Sequence, residues 1–356
     1  GRSKEMKTLF VFLSVLLCSM ALFSEKVANL PELNKPHAIE CDGEKFYIVD
    51  EATVHMYSMK DFKYIGSFGK RGDGPMELVP GRTTYIQLLL LKDKIILFSE
   101  FKLVMYTREG KPIDEKVFHN SIEFIVPFGK NYAIVQYDVD QKNPLIYLFT
   151  VMLLTPDFKT KKNLLSFERA PIGVKNKLGF AIPQFTFLSL VNNLLYVFDQ
   201  QHDKEFMIFN TEGKQIKKLK VPLQGLKITE SIKNEILDYM KKSRIYKSYG
   251  LKEENLKETV FFREYFPSVR VPKIKDGIIY IQTYEKKDGK YRFVLLNLKG
   301  KILKSLFLPV DVVDLVQWGQ HTTYCFDKTN YYYLEDNADA ETWELHKEVF
   351  TLNPSK

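Results

Sequence analysis

Six histidines, three cysteines, an Asp-x-Asp pair and an Arg-Gly-Asp tripeptide are the groups in this 356-residue chain whose types could do chemistry. A zinc site needs three or four ligands converging at about 2.0–2.2 Å. No two cysteines stand in CxxC spacing, which excludes a cysteine-based zinc site. The stretch "YDVDQKNP", Tyr137 to Pro144, lacks the glycine and distal glutamate of a calcium-binding loop and reads as a polar turn. No serine-centred nucleophile elbow, phosphate-binding loop or dinucleotide fingerprint occurs. The stretch "FGKRGDGPMEL", Phe68 to Leu78, places Arg71-Gly72-Asp73 in a short charged span with a third glycine, Gly74, and Pro75. It reads as an adhesive motif, a phosphate cradle or a plain connection according to its flanks. Which of these groups can meet depends on the elements that carry them.

The N-terminus carries an address. Lys4 and Lys7 precede an apolar run from Thr8 to Phe23, and polarity returns at Ser24-Glu25-Lys26. A basic start, a short apolar core and a small exit residue predict a secretory signal peptide over residues 1–24, cleaved after Ser24. Residues 1–5 stand ahead of Met6 as extra sequence. The run is shorter than the ~20 residues of a spanning helix, so an uncleaved anchor is the weaker alternative. Cys18 would be a lipid attachment point, but Leu17 before it is too large for that signal. The expected location is therefore outside the cytoplasm: periplasm, cell surface or secreted. Any membrane contact would run only through an N-terminal anchor or lipid. An excess of 52 basic over 44 acidic residues is mild and forms no concentrated stripe, so no nucleic-acid partner is expected. The 20 Tyr and 27 Phe suit half-buried pleated surfaces.

A repeat organises the rest. Five segments, "MYSMKDFKYIGSF", "VMYTREGKPIDEKVF", "LLTPDFKTKKNLLSF", "MIFNTEGKQIKKLKV" and "VLLNLKGKILKSLFL", each read as strand, tight turn ending in lysine, strand. The turn lysines are Lys63, Lys111, Lys159, Lys214 and Lys301, and only the last interval is much longer than its predecessors. The excess is an insertion over residues 226–267, where Ile232, Ile236, Tyr239 and Met240 recur at helical spacing. Upstream of each hairpin lies an apolar strand such as "KFYIVDE", "KIILFSE", "NLLYVFD" or "TTYCFDK", and before that a further short strand such as "HAIE", "IEFIV" or "VVDLVQ". Four short strands per ~40–50 residues, repeated, predict an all-β, six-bladed β-propeller over residues 25–356 with a helical insertion between blades four and five. Paired β-sandwiches would need no fixed repeat. In this scheme "VVDLVQ" is the innermost strand of blade six and "TTYCFDK", with Cys325, the second.

The "DGEKFYIVD" unit, Asp42 to Asp50, and the link with Gly69, Gly72, Gly74, Pro75 and Glu77 resemble the extracytoplasmic six-bladed propellers of bacteria, which are similar in pattern to NHL-repeat and TolB-type propellers. Leu78 stands where that family usually has an aromatic residue. The resemblance implies that blade-to-blade links and second-to-third-strand links share one face, the upper. On that face fall the ligand candidates Arg82, Gln184, Arg263 and Tyr265, at ends of long links. The glycine-rich stretch becomes the link from blade one to blade two. Some six-bladed lyases and lactonases hold a channel metal, so His37, His119 and His202, all on the upper face, are the zinc or calcium ligands of an alternative, metal-dependent lyase or lactone-hydrolase reading. The primary expectation is a binding or scaffold module without cofactor, taking an unknown protein or small ligand on its upper face. Ring closure brings blades one and six together, so Cys41 and Cys325 become candidates for a disulfide.

Overall fold

The apolar runs of the second strands explain the architecture. In "KIILFS", Ile95 and Leu97 face one way and Ile96 and Phe98 the other, and all four are buried. A strand covered on both faces belongs to a sheet packed between two neighbours. In a computed structural model, residues 24–79, 86–139, 142, 146–169, 184–202, 204–242, 256, 260–310 and 322–352 are described. They form six four-stranded antiparallel sheets.

Blade one holds β2 (Pro36–Cys41), β3 (Lys45–Asp50), β4 (Thr53–Ser58) and β5 (Tyr64–Phe68). Blade two holds β6 (Gln87–Leu90), β7 (Lys94–Ser99), β8 (Lys102–Thr107) and β9 (Pro112–Val117). Blade three holds β10 (Ile122–Phe128), β11 (Asn131–Val139), β12 (Tyr147–Leu154) and β13 (Thr160–Arg169). Blade four holds β14 (Thr186–Val191), β15 (Leu194–Asp199), β16 (Glu205–Phe209) and β17 (Gln215–Lys220). Blade five holds β18 (Val271–Lys275), β19 (Ile278–Lys287), β20 (Lys290–Asn297) and β21 (Ile302–Leu308). Blade six holds β22 (Tyr324–Asp327), β23 (Asn330–Asn337) and β24 (Thr342–Val349), and its fourth strand is β1 (Glu25–Leu30) from the other end of the chain.

Successive blades share one apolar core each. Ile95 and Leu97 pack on Tyr47 and Val54 of blade one, while Ile96 and Phe98 pack on Ile125 and Ile134 of blade three. The series continues through blades three and four, four and five, and five and six. The sixth core joins Leu334 and Leu345 of blade six to Ile39, Phe46 and Ile48 of blade one, with Leu30 of β1 inside it. The ring is therefore closed.

Closure corrects the sixth-blade assignment. β22, carrying Cys325, is the innermost strand and not the second, because β1 pairs with β24 and supplies the outer one. Residues 312–317, "VVDLVQ", lie outside the described residues. Pairing the two ends of the chain within one sheet gives blade six its fourth strand and ties the seam of the ring. It also explains why the lysine hairpin occurs five times. The turns close through backbone bonds of 2.8–3.0 Å, such as Thr107 N–H to Lys111 O and Asn210 N–H to Lys214 O. Blade six needs no such turn, because its third and fourth strands are not consecutive in the chain.

The insertion forms α1 (Glu230–Lys242), capped by Thr229, whose hydroxyl accepts from Ile232 N–H at 3.4 Å. Ile236 and Met240 are buried with Phe266 and Tyr284 in a separate core, with Ile232 and Tyr239 against it. The stems are tied by Ile228 N–H to Glu264 O at 2.9 Å and Phe266 N–H to Leu226 O at 2.8 Å. Gly225 is required there, since a Cβ would run into the Phe266 carbonyl.

The Phe68–Leu78 stretch is the expected link between blades one and two. Gly69 takes φ +85°, where a side chain would meet the Ala52 carbonyl. Arg71 donates to Glu51 at 2.8 Å, and Lys102 donates to the Gly74 carbonyl at 2.8 Å.

Candidate functional site

The six innermost strands enclose a central cavity of about 450 Å³. Its lining is mostly aliphatic and aromatic, with Phe124 and Phe187 among its residues, and Glu123 and Lys275 among its polar groups. Innermost strands start at the upper face, so Glu123 and Thr186 mark the upper mouth, and Cys41 and Lys275 the lower.

Glu123 is placed by a β-bulge. The β10–β11 register runs Ile122 to Gln136 and then Phe124 to Val135, leaving Glu123 as the extra residue. Its side chain is 10% exposed and lines the cavity. Its Oε2 has no hydrogen-bond partner among the described residues. The Arg169 guanidinium stands 3.9 Å away, too far to donate. Burial pushes the Glu123 carboxyl up to about 7, against the pull of Arg169 and with the help of the Asp199 charge.

Arg169, the last residue of β13, crosses to blade four. It pairs with the fully buried Asp199 at the end of β15 and donates to the Thr186 hydroxyl and, at 3.1 Å, to the Gln184 carbonyl. Its guanidinium also covers the Phe149 ring at 4.3 Å. Asp199 accepts from Thr186 at 2.8 Å and contacts His202 Nδ1 at 3.2 Å. Burial would raise the Asp199 carboxyl, but Arg169, His202 and Thr186 together hold it below the usual carboxylate range. His202 is lifted above its ordinary value by the Asp199 hydrogen bond. The upper mouth between blades three and four thus holds a fixed carboxylate–guanidinium pair beside a carboxyl that changes charge near neutrality.

Asp199 has counterparts around the ring. Asp50, at the end of β3, accepts from Asn34 N–H at 2.6 Å and Lys35 N–H at 2.8 Å. Glu100, just after β7, accepts from Ser121 at 2.6 Å and Tyr137 at 2.8 Å. The acid closing each "YIVD", "LFSE" or "YVFD" strand ties a blade junction, Asp50 at the entry of its own blade and Glu100 at the entry of the next, and the Asp199 junction faces Glu123.

The sequence-derived candidates fall in different places. Arg82 lies outside the described residues. Gln184 belongs to the mouth through its carbonyl. Arg263 is half-buried, and its charge is felt at His202. Tyr265 is 46% exposed at the base of the insertion, in an isolated bridge with Lys227. His37 occupies the equivalent bulge in blade one, with Nε2 3.2 Å from the Ile86 carbonyl, and burial pulls it below the ordinary imidazole range. His119 is exposed in the link to blade three. Of the three histidines, only His202 stands in the Arg169–Asp199 cluster. Among the described residues no three His, Cys, Asp or Glu side chains gather as a metal centre would require. Asp138 of the Asp-x-Asp pair accepts from Gln136 at 2.9 Å, and its partner Asp140 lies outside the described residues. Glu123, Arg169 and Asp199 escaped sequence reasoning. The signal for Glu123 was a lone acid inside the apolar strand "IEFIV".

The lower end is built differently. Lys273 pairs with Glu40 at 2.8 Å. Lys275 Nζ reaches the Cys41 and Phe326 carbonyls at 2.8 and 2.7 Å, and Cys41 Sγ at 3.1 Å. Cys41 and Cys325 are both buried, unbonded thiols.

No family model matches the chain, and no curated protein matches it in sequence. Solved structures do. A Bacteroides fragilis protein described as exported superposes with a TM-score of 0.55 at 10% identity, over 94% of this chain and 95% of its own. BamB from Moraxella catarrhalis gives 0.42 at 9% identity, over 92% of this chain and 100% of its own. The WD40 domain of Pan2 from Neurospora crassa gives 0.43 at 7% identity, over 94% and 96%. At 10% identity the likeness to the Bacteroides fragilis protein speaks to architecture alone, and the six four-stranded sheets with their closing core make the chain a six-bladed β-propeller.

Proposed function

We propose that this chain is an exported binding module whose working surface is the upper face, with the channel mouth at Glu123 as its anchoring point. The observation that carries the reading is a buried carboxyl at the channel mouth. A nine-tenths buried carboxyl, with one oxygen unpartnered among the described residues, stands at the entrance of a largely apolar cavity of about 450 Å³. Burying such a group unsatisfied is unfavourable, and a ligand donor would relieve it. The cavity volume lies within the range of small-molecule sites. A ligand with an apolar body and an amine or hydroxyl group, free or at the tip of a protein side chain, matches both features. The leader-like start and the likeness to a protein described as exported support placing the module outside the cytoplasm.

A thermal-shift screen of small apolar amines and alcohols tests this. Three proteins are compared: wild type, Glu123→Gln at the upper mouth, and Arg108→Gln on the lower face, where Arg108 pairs with Asp42. Compounds should stabilise wild type and Arg108→Gln and lose their effect in Glu123→Gln. Hits indifferent to Glu123, or abolished by Arg108→Gln, would contradict the placement.

A further inference from the structure

The lower end of the channel holds a group the binding role does not use. Cys41 ends the innermost strand of blade one, and Cys325 lies in the innermost strand of blade six. The two strands meet through Ile39 N–H to Thr322 O at 3.0 Å. The two thiols are buried in the same core cluster, and Cys41 Sγ approaches the carbonyl of Phe326, the residue after Cys325, at 3.3 Å. Lys275, from blade five, reaches beneath blade six to place its ammonium 3.1 Å from Cys41 Sγ. Lys273, two residues earlier, is neutralised by Glu40, whereas among the described residues no carboxylate stands within ion-pair distance of Lys275. A half-buried ammonium bound to two carbonyls and one sulfur has its natural anion in that sulfur.

The pair is asymmetric. The neighbouring Cys325 thiol draws the Cys41 thiol below its ordinary range; burial opposes this and the Lys275 charge reinforces it. Burial pushes Cys325 well up. Glu40, Tyr280 and Tyr332 are the other titratable groups facing Cys41. Cys41 is also the more reachable sulfur, since it lines both the channel and a lower-face groove with Asp42, Tyr47 and Arg108.

We propose that Cys41 and Cys325 are a redox-active dithiol that reacts with small-molecule disulfides entering at the lower mouth. The Cys41 thiolate attacks one sulfur of RS–SR, a Cys41–S–S–R bond forms, and RS⁻ leaves and takes up a proton. Cys325 then gives up its proton and attacks the Cys41 sulfur. That step breaks the mixed disulfide, expels the second RS⁻, and leaves a Cys41–Cys325 disulfide tying the first blade to the last. Two protein thiols are oxidised by two electrons, and one RS–SR is reduced to two RSH. Lys275 is a positioning residue that holds the attacking thiolate.

The test uses reduced full-length protein, hydroxyethyl disulfide as the probe, maleimide trapping after denaturation, and tryptic mapping to separate Cys41 and Cys325 from Cys18. Wild type should lose maleimide reactivity at both Cys41 and Cys325 and retain no adduct. Cys325→Ser should stall with a mixed disulfide on Cys41, and Cys41→Ser should leave Cys325 unmodified over the same time. Lys275→Gln should slow Cys41 alkylation by about tenfold at pH 7, with the gap closing as pH rises past the ordinary thiol range. Circular dichroism checks that each variant is folded. The wild-type result decides without any variant: two free thiols after prolonged exposure would overturn the proposal. So would equal reactivity of Cys325 in Cys41→Ser, or an unchanged pH profile in Lys275→Gln.

Discussion

Replacing Glu123 by Gln should stabilise this propeller at pH 8 and leave it nearly unchanged at pH 4. The carboxyl titrates near 4.5 when solvated and about 7 in the folded chain, because burial disfavours its charged form. The folded state therefore binds the extra proton between these values, so stability falls as pH rises through that window and levels off above it. A shift of this size corresponds to about 3 kcal/mol, at about 1.4 kcal/mol per pKa unit. The side chain is only 10% exposed, so solvent screening takes little from that figure. Glutamine keeps the shape and cannot ionise. For a chain of this length, about 3 kcal/mol translates into roughly 4 °C. Melting temperatures of both proteins from pH 4 to pH 8, with urea titrations at the two extremes, read the difference directly. The Glu123→Gln advantage should grow with pH and reach its plateau near neutrality. A pH-independent difference, or a loss of stability at pH 8, would refute a neutralisable carboxyl at the mouth.

Other substitutions probe the framework. Arg169→Met strands the fully buried Asp199 carboxylate and should cost about 3–5 kcal/mol in urea unfolding, part of which Arg169→Met/Asp199→Asn should recover. Removing residues up to Leu30 strips β1 from β24 and bares an edge strand; the melting temperature should fall, and size-exclusion chromatography should show self-association. Gly225→Ala forces a methyl group against the Phe266 carbonyl and should cost about 1–3 kcal/mol, with hydrogen exchange rising first in α1 and its core. Oxidising Cys41 and Cys325 closes a loop of roughly 280 residues and should raise unfolding stability over the reduced protein by up to about 5 kcal/mol.

Much of this architecture is written locally. The lysine hairpins are consecutive, turn-coded and repeated, and each appears where its turn chemistry predicts. The insertion helix was legible because Ile232, Ile236, Tyr239 and Met240 keep helical spacing, and all four meet in one core. The seam was not legible. "EKVANL" is short and largely exposed as an outer strand, so it lacks the apolar alternation that marks the inner ones. Its partner β24 lies at the other end of the chain, and no local rule pairs them. The channel mouth was hidden for the same reason. Glu123, Arg169 and Asp199 come from three strands of two blades, and only the ring brings them together. Ring closure placed Cys41 and Cys325 in neighbouring blades, but it put Cys325 on the second strand instead of the innermost, and the two stand as free thiols. The role of Lys275 beside them was not legible, since it reaches across from a third blade.

An upper-face binding module must hold its ligand at the Glu123 mouth. Hydrogen–deuterium exchange of the wild-type protein, with and without the strongest compound from the screen, locates it directly. Protection should appear at the upper ends of β10 and β14 and at the Arg169–Asp199 junction. Protection confined to the lower hairpins around Lys63, Lys111, Lys159, Lys214 and Lys301 would contradict an upper-face binding module.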